Sequence, residues 1–189
     1  TITMNIVNGN GPADAANMTF GNFSFNKVVD NDNSPAGDPN GTHTYQLGNV
    51  DNEGVADLTI GTAVAGKDAI VMVGDLTNDQ DGTLRTGLIG SLTGDITNAD
   101  DDSLFTSVTT MTGNVVNDDE GYMEFSGAVT GNISNDNEFS TMVLNAATSA
   151  TGVLINAGKG TGRGGLGNGL FLNANLTLSG NVAHDFVDG

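Results

Sequence analysis

The sequence contains no cysteine and few basic residues, and each shortage excludes a class of function. Without cysteine there is no disulfide, no thiolate nucleophile and no cysteine-ligated zinc or iron–sulfur centre. Lys and Arg number 5 against 23 Asp and Glu, which gives a net charge of −18. Because a nucleic-acid groove needs several cations on one face to displace counterions, we expect no nucleic-acid partner.

Long apolar runs are also missing, so the sequence predicts no transmembrane segment. Charged residues make up 15% and hydrophobic residues 37% of the chain, which is low for a cytosolic enzyme. The polar surface must come from Asn, Thr, Ser and Gly, as is common in extracellular β-proteins. The chain begins Thr1-Ile2-Thr3 with no initiator Met. This start fits either the removal of a leader peptide or a sequence that begins within a longer protein. We therefore predict an extracellular or cell-surface location.

A repeated motif, hydrophobic–x–Gly–(Asp/Asn)–hydrophobic–x–Asn, is the strongest feature that is present. Copies begin at Met72, Leu92, Met111 and Val129, and a late copy from Leu178 carries His184 in place of the final Asn. The glycines of the first four copies are 20, 19 and 18 residues apart. This spacing indicates either a repeat architecture or a regular meander of strands.

Within each repeat, apolar and polar residues alternate with a period of two, as from Leu84 to Ile96. Such alternation is typical of a half-buried antiparallel strand. Short acidic turns separate these segments and suit hairpins. The predicted fold is therefore all-β: a long-stranded antiparallel meander that closes as a barrel or sandwich. The alternative is a β-solenoid with stacked Asn ladders, which the unbroken alternation disfavours.

The predicted domain organisation is an N-terminal arm, made of a strand and a loop over residues 1–17, followed by a single β domain over residues 18–189. In the arm, Ile2, Met4 and Ile6 share one face of a short strand. An alternating strand near a terminus can add to the open sheet of a neighbour. We expect these three residues to mediate assembly with another copy.

The chain carries little that could support catalysis. The only histidines are His43 and His184, and no G-x-S-x-G motif is present. Most acidic residues fall in turns rather than across a cleft. The spacing of Gly160, Gly162 and Gly165 matches a dinucleotide-binding fingerprint. That motif requires a helix after the glycines, and a strand-like segment follows them here, so we do not expect a dinucleotide site. We predict a protein that is not an enzyme and has no catalytic or cofactor-binding residues.

Calcium is the one cofactor with some support in the sequence. Asp79 and Asp81, and likewise Asp30 and Asp32, place carboxylates at alternating positions, as loops that bind hard cations do. Neither loop has the full EF-hand pattern. These four residues are the candidate metal ligands.

The favoured function is a non-enzymatic structural protein that self-associates as a subunit of a filament, surface layer or matrix. The alternative is a monomeric surface barrel that binds a ligand or a host protein. From Ala69 to Val182, the spacing of the predicted strands resembles that in the barrels of Gram-negative transferrin-binding and haem-capturing surface proteins. That resemblance implies haem or iron acquisition, and His43 or His184 would then be candidate axial ligands.

The calcium hypothesis is tested by thermal unfolding in EGTA and at millimolar calcium. A cation that binds only the folded chain raises the melting temperature. We expect a rise in calcium and none in the same concentration of magnesium. An unchanged melting temperature in calcium removes the hypothesis.

Overall fold

The chain forms a β-solenoid rather than an antiparallel sheet. The computed structural model describes residues 3–8, 17–20, 43–53, 57–60, 68–79, 82–101, 103–157 and 169–184. Every strand pairing in these residues is parallel, and they contain no helix. The all-β prediction is confirmed. The predicted antiparallel meander closing as a barrel or sandwich is wrong, and the solenoid alternative with its Asn ladder is correct.

Each turn of the solenoid contributes strands to three faces. On each face, the strands at equivalent positions of successive turns stack on one another. Face A contains β2 (Asn17–Phe20), β4 (Asp57–Ile60), β13 (Thr141–Leu144), β16 (Gly169–Leu172) and the first parts of β7 (Thr83–Thr93), β9 (Ser103–Thr112) and β11 (Tyr122–Thr130). Face B contains β5 (Asp68–Val73), β14 (Thr148–Ala150), β17 (Leu176–Leu178) and the later parts of β7, β9 and β11.

Face C is made of short strands that follow each motif glycine. They are β6 (Leu76–Asn78), β8 (Ile96–Asn98), β10 (Val115–Asn117), β12 (Ile133–Asn135), β15 (Leu154–Asn156) and β18 (Val182–His184). Two longer strands, β1 (Thr3–Asn8) and β3 (His43–Asn52), run from face B into face C.

The core is a set of columns of apolar side chains that point inward, turn upon turn. One column on face A consists of Leu84, Leu104, Met123 and Met142, which are level in the register and fully buried. Burial of each such side chain is worth roughly 1.5–3 kcal/mol. Because each turn contacts only its neighbours, the hydrophobic stabilisation adds up along the axis instead of converging on one centre.

The final Asn of the motif forms a buried ladder along face C. The side chains of Asn52, Asn78, Asn98, Asn117 and Asn135 are 0% exposed. Each Nδ2 donates to the Oδ1 of the next rung at 2.8–3.0 Å, ending at Asn156. The Nδ2 of Asn117 also donates to the carbonyls of Gly121 and Thr141, at 2.9 and 3.0 Å. The ladder thus fixes each turn to the next and holds the following bend.

The motif glycine and its successor build the corner between faces B and C. Gly94 and Gly113 have φ of 146° and 141°, and a Cβ on Gly113 would collide with the carbonyl oxygen of Gly94. Only glycine allows successive turns to approach this closely. The next side chain accepts from the following turn: Asp75 from the N–H of Asp95 at 2.9 Å, and Asp95 from that of Asn114 at 2.7 Å.

The alternation from Leu84 to Ile96 does not belong to one antiparallel strand. Leu84, Leu92 and Ile96 point inward as predicted, but Leu88 is 46% exposed. The pairing of β7 with β9 shifts between Arg85 and Leu88, where the chain bends from face A to face B. Gly94 then makes the next corner. The acidic segments predicted to be hairpins instead lead the chain into the next turn, in the same direction as the last.

Replacing a central rung of the ladder, Asn117→Ala, should lower the free energy of unfolding by about 2–4 kcal/mol, because buried groups of Asn98 and Asn135 lose their partners. Asn173→Ala, at an exposed position with a side-chain bond to Asn145, should change it by less than about 0.5 kcal/mol. Urea unfolding followed by circular dichroism measures both. Equal effects would contradict the role assigned to the ladder.

Candidate functional site

The acidic residues of the motif turns collect at the corner between faces C and A. We call this set the acidic corner; it comprises the acidic residues that follow the rungs, with the addition of Asp51, which directly precedes the rung Asn52: Asp51, Glu53, Asp79, Asp100, Asp101, Asp118, Asp119, Glu120, Asp136 and Glu138. Each turn of the solenoid brings its acidic segment beside that of the previous turn, because the rungs of the Asn ladder immediately before them are in register. Like charges are therefore concentrated along one corner.

Two carboxyl groups at this corner have raised pKa values. Partial desolvation raises the pKa of Asp51 above its ordinary value of 3.8, and Glu53 and Asp79 add to the rise. Desolvation is also the first cause for Asp119, followed by the charges of Asp118 and Asp100 on its own and the previous turn. The stacking of turns thus makes the charged forms of these groups less favourable than in the unfolded chain.

The predicted calcium ligands are not brought together in the part of the chain that the structure describes. Asp79 lies at the acidic corner directly after β6, whereas Asp81, Asp30 and Asp32 fall outside the described residues. Among the described residues, no group of three His, Asp or Glu side chains is placed to hold a metal ion. Calcium binding stays a prediction.

The last described turn, consisting of β16, β17 and β18, has one open side. These strands pair with β13, β14 and β15, and no described residue pairs with their other edges. Their inward side chains Leu170, Leu176 and Leu178 pack against the core but are only half-buried. The equivalent positions one turn earlier, Met142, Thr148 and Ala150, are at most 3% exposed. Among the described residues, this turn therefore leaves backbone hydrogen-bonding groups without a strand partner and apolar side chains without a covering layer.

The predicted assembly strand lies at the other end of the solenoid. Met4 and Ile6 belong to β1, which pairs along one edge with β3 of its own chain, and Ile2 falls outside the described residues. Asn8 of β1 is level with Asn52, the first described rung of the ladder. The histidines are on different strands, His43 at the start of β3 and His184 at the end of β18. The role of Ile2, Met4 and Ile6 in assembly stays a prediction.

Face A carries a network of polar and aromatic side chains. The Arg85 guanidinium lies 4.4 Å from the centre of the Phe105 ring, which is 5.8 Å from that of Tyr122. The Tyr122 hydroxyl donates to Glu124 at 2.8 Å, and burial together with this carboxylate raises the pKa of Tyr122 to about 12. The Asn145 amide also donates to Glu124. The contacts of Arg85 with Phe105, of Phe105 with Tyr122 and of Asn145 with Glu124 join neighbouring turns on face A.

Face B carries an uncharged surface of hydroxyl groups, which the sequence analysis missed. Thr93, Thr112 and Thr130 are level on successive turns and exposed, and Ser91 and Thr110 form a second row two residues before them. The available signal is a Ser or Thr directly before four of the five motif glycines, on the outward side of the alternation; Val73 takes this place before Gly74. By itself, this pattern indicates only the polar face of a sheet.

Acidification from neutral pH should stabilise the fold. The raised pKa values of Asp51 and Asp119 give a stabilising contribution that is complete below the unfolded pKa and lost as the pH rises through the folded one. At low salt, the melting temperature should therefore rise as the pH falls towards about 4. Asp119→Asn should weaken this dependence, and added salt should weaken it in both proteins. An identical pH profile for the variant would contradict the assignment.

The described residues contain no helix long and apolar enough to cross a membrane, in agreement with the sequence. The chain matches no protein-family model, no curated protein and no solved structure. Its own geometry therefore has to support any functional conclusion.

Proposed function

We propose that the chain is a non-enzymatic structural subunit of an extracellular or cell-surface assembly, such as a filament, surface layer or matrix, in which copies associate end to end. In this arrangement the outer edge of β1 in one copy adds to β17 and β18 of the next. The strands remain parallel across the junction, as they are within each copy.

The observation that carries this proposal is the open side of the last described turn. Leu170, Leu176 and Leu178 are inward residues without a further layer among the described residues to cover them. Unpaired strand edges beside apolar surface are a template for another strand. A further turn stacked there would bury these leucines as completely as the core buries Leu84 and Leu104.

The strand registers at the two ends are compatible with such a junction. β1 runs through faces B and C, which are the faces that β17 and β18 occupy at the other end. Asn8 in β1 and His184 in β18 both hold the ladder position of the register. A β1 strand added at this end would therefore bring Asn8 next to His184 and continue the stacking column by column.

The composition supports the compartment and the structural role. The chain has no cysteine, relies on Asn, Thr, Ser and Gly for its polar surface, and carries a net charge of −18. A high net charge keeps copies apart except where directional contacts hold them. End-to-end strand addition supplies such contacts while it keeps the acidic corners of neighbouring copies in one line instead of face to face.

The test introduces polar side chains into the open end. In the double variant Leu176→Asn and Leu178→Asn, assembly should be lost while circular dichroism keeps its β signal, because a solenoid depends on local contacts and the other turns are untouched. Ser179→Asn is the matched control, since it places the same side chain at an exposed position next to Leu178.

Sedimentation velocity and negative-stain microscopy report the outcome. We expect elongated assemblies for the original chain and the control, and monomers for the double variant. A monomeric original chain at every accessible concentration, or assembly of the double variant to the same extent, would overturn the proposal.

A further inference from the structure

A continuous uncharged groove runs over face B and the adjoining corner with face A. One part, of about 310 Å³, is lined by the two hydroxyl rows and their neighbours, including Thr93, Thr112 and Thr151. The other part, of about 500 Å³, lies at the corner and includes Leu88, Ser126 and Asn175 in its lining. Both parts share Ala128 and Ser149, so they meet. Their size is that of ordinary ligand sites.

The groove arises from a change in how the chain passes from face A to face B. In β7, β9 and β11 the chain makes this bend within one strand. Beyond them, residues 145–147 separate β13 from β14, and residues 173–175 separate β16 from β17. Of these residues, Ala146, Ala147 and Asn175 line the corner part of the groove.

The lining has the chemistry of a site for an uncharged, hydroxyl-rich molecule. No ionisable side chain lines either part, although the whole chain carries a charge of −18. Hydroxyl groups can each donate and accept, and those of Ser107 and Ser126 are 3.0 Å apart. Leu88, which is 46% exposed, and the neighbouring alanines supply apolar contacts for C–H groups. Charged ligands would find no ion pair in the groove.

The spacing of the lining residues is periodic along the solenoid axis. Thr93, Thr112 and Thr130 are paired in register on successive turns. Parallel strands are about 4.8 Å apart, so the same groups recur at that interval. One sugar ring in an extended polysaccharide occupies a similar length. A linear polymer of such rings can therefore meet an equivalent set of hydroxyl and methyl groups at each turn, and weak contacts add up along the chain.

We propose that this groove binds a neutral, linear polysaccharide that lies along the solenoid axis with about one sugar residue per turn. The groove reaches Thr177 of β17 in the last described turn, but the inward residues Leu176 and Leu178, on which the proposed assembly depends, do not line it. A chain that assembles and binds polysaccharide would crosslink a matrix, and one that only binds would attach to it.

The test places a bulky charge where the two parts of the groove meet. Ser149→Glu changes a half-exposed, outward residue in the middle of β14. Thr97→Glu is the matched control, because Thr97 is a half-exposed, outward residue in the middle of β8 on face C, outside the groove. Both variants add the same charge to the same fold, so their difference reports the groove alone.

Binding is measured by glycan array and calorimetry with neutral glucose oligomers of increasing length and with uronic acid oligomers of matched length. We expect the original chain to bind long neutral oligomers more tightly than short ones and to ignore the acidic ones. Ser149→Glu should weaken binding at least about tenfold, whereas Thr97→Glu and the double variant at Leu176 and Leu178 should bind as the original does.

Three results would overturn the proposal: no binding of any neutral oligomer, tighter binding of the acidic series, or equal binding by Ser149→Glu and Thr97→Glu. If Ser149→Glu instead abolished self-association and left oligomers unbound by every variant, the groove would be a contact between copies, and the polysaccharide site would be rejected.

Discussion

The buried amide ladder is the interaction on which the rest of this structure depends. Asn52, Asn78, Asn98, Asn117 and Asn135 sit in an interior that is otherwise apolar, where an unpaired amide would be costly. Each is satisfied only if the turns on both sides are present and in register. The ladder therefore specifies both the spacing of the turns and their alignment. A slip by one residue would bury an outward residue and leave several amides without partners.

Every position of the repeated motif has a structural role once the turns are stacked. Leu92, the first residue of its copy, fills the core from face B, and Gly94 allows the close approach at the corner. Asp95 holds the next turn through its backbone N–H. Ile96 fills the core from face C, and Asn98 joins the ladder. The variable x positions point outward. The motif is thus a complete description of one corner and one face, repeated along the axis.

The acidic corner and the uncharged groove on face B also follow from the positions of residues within the repeated motif. The segment after each Asn is a tight turn that points away from the core, so it accumulates Asp and Glu and forms the acidic corner. The segment before each glycine lies flat on face B, where Ser and Thr fit a strand and avoid charge. Stacking multiplies both, so that one side of the molecule is strongly acidic and another is an uncharged groove. A ligand or a neighbouring copy meets very different surfaces depending on where it approaches.

The sequence by itself determined the all-β class, the repeat and its period, the inward residues such as Leu84, Leu92 and Ile96, and the lack of a long apolar run. These follow from local alternation and composition, which do not depend on how strands pair. It could not decide between antiparallel neighbours and stacked turns, because a strand that bends at a corner alternates in the same way as a straight one. That choice rests on the direction of the chain after each acidic turn and on amide pairs 18–26 residues apart. The groove on face B, the open end at Leu176 and Leu178 and the raised pKa of Asp119 all depend on how the turns stack, so only the tertiary structure could reveal them.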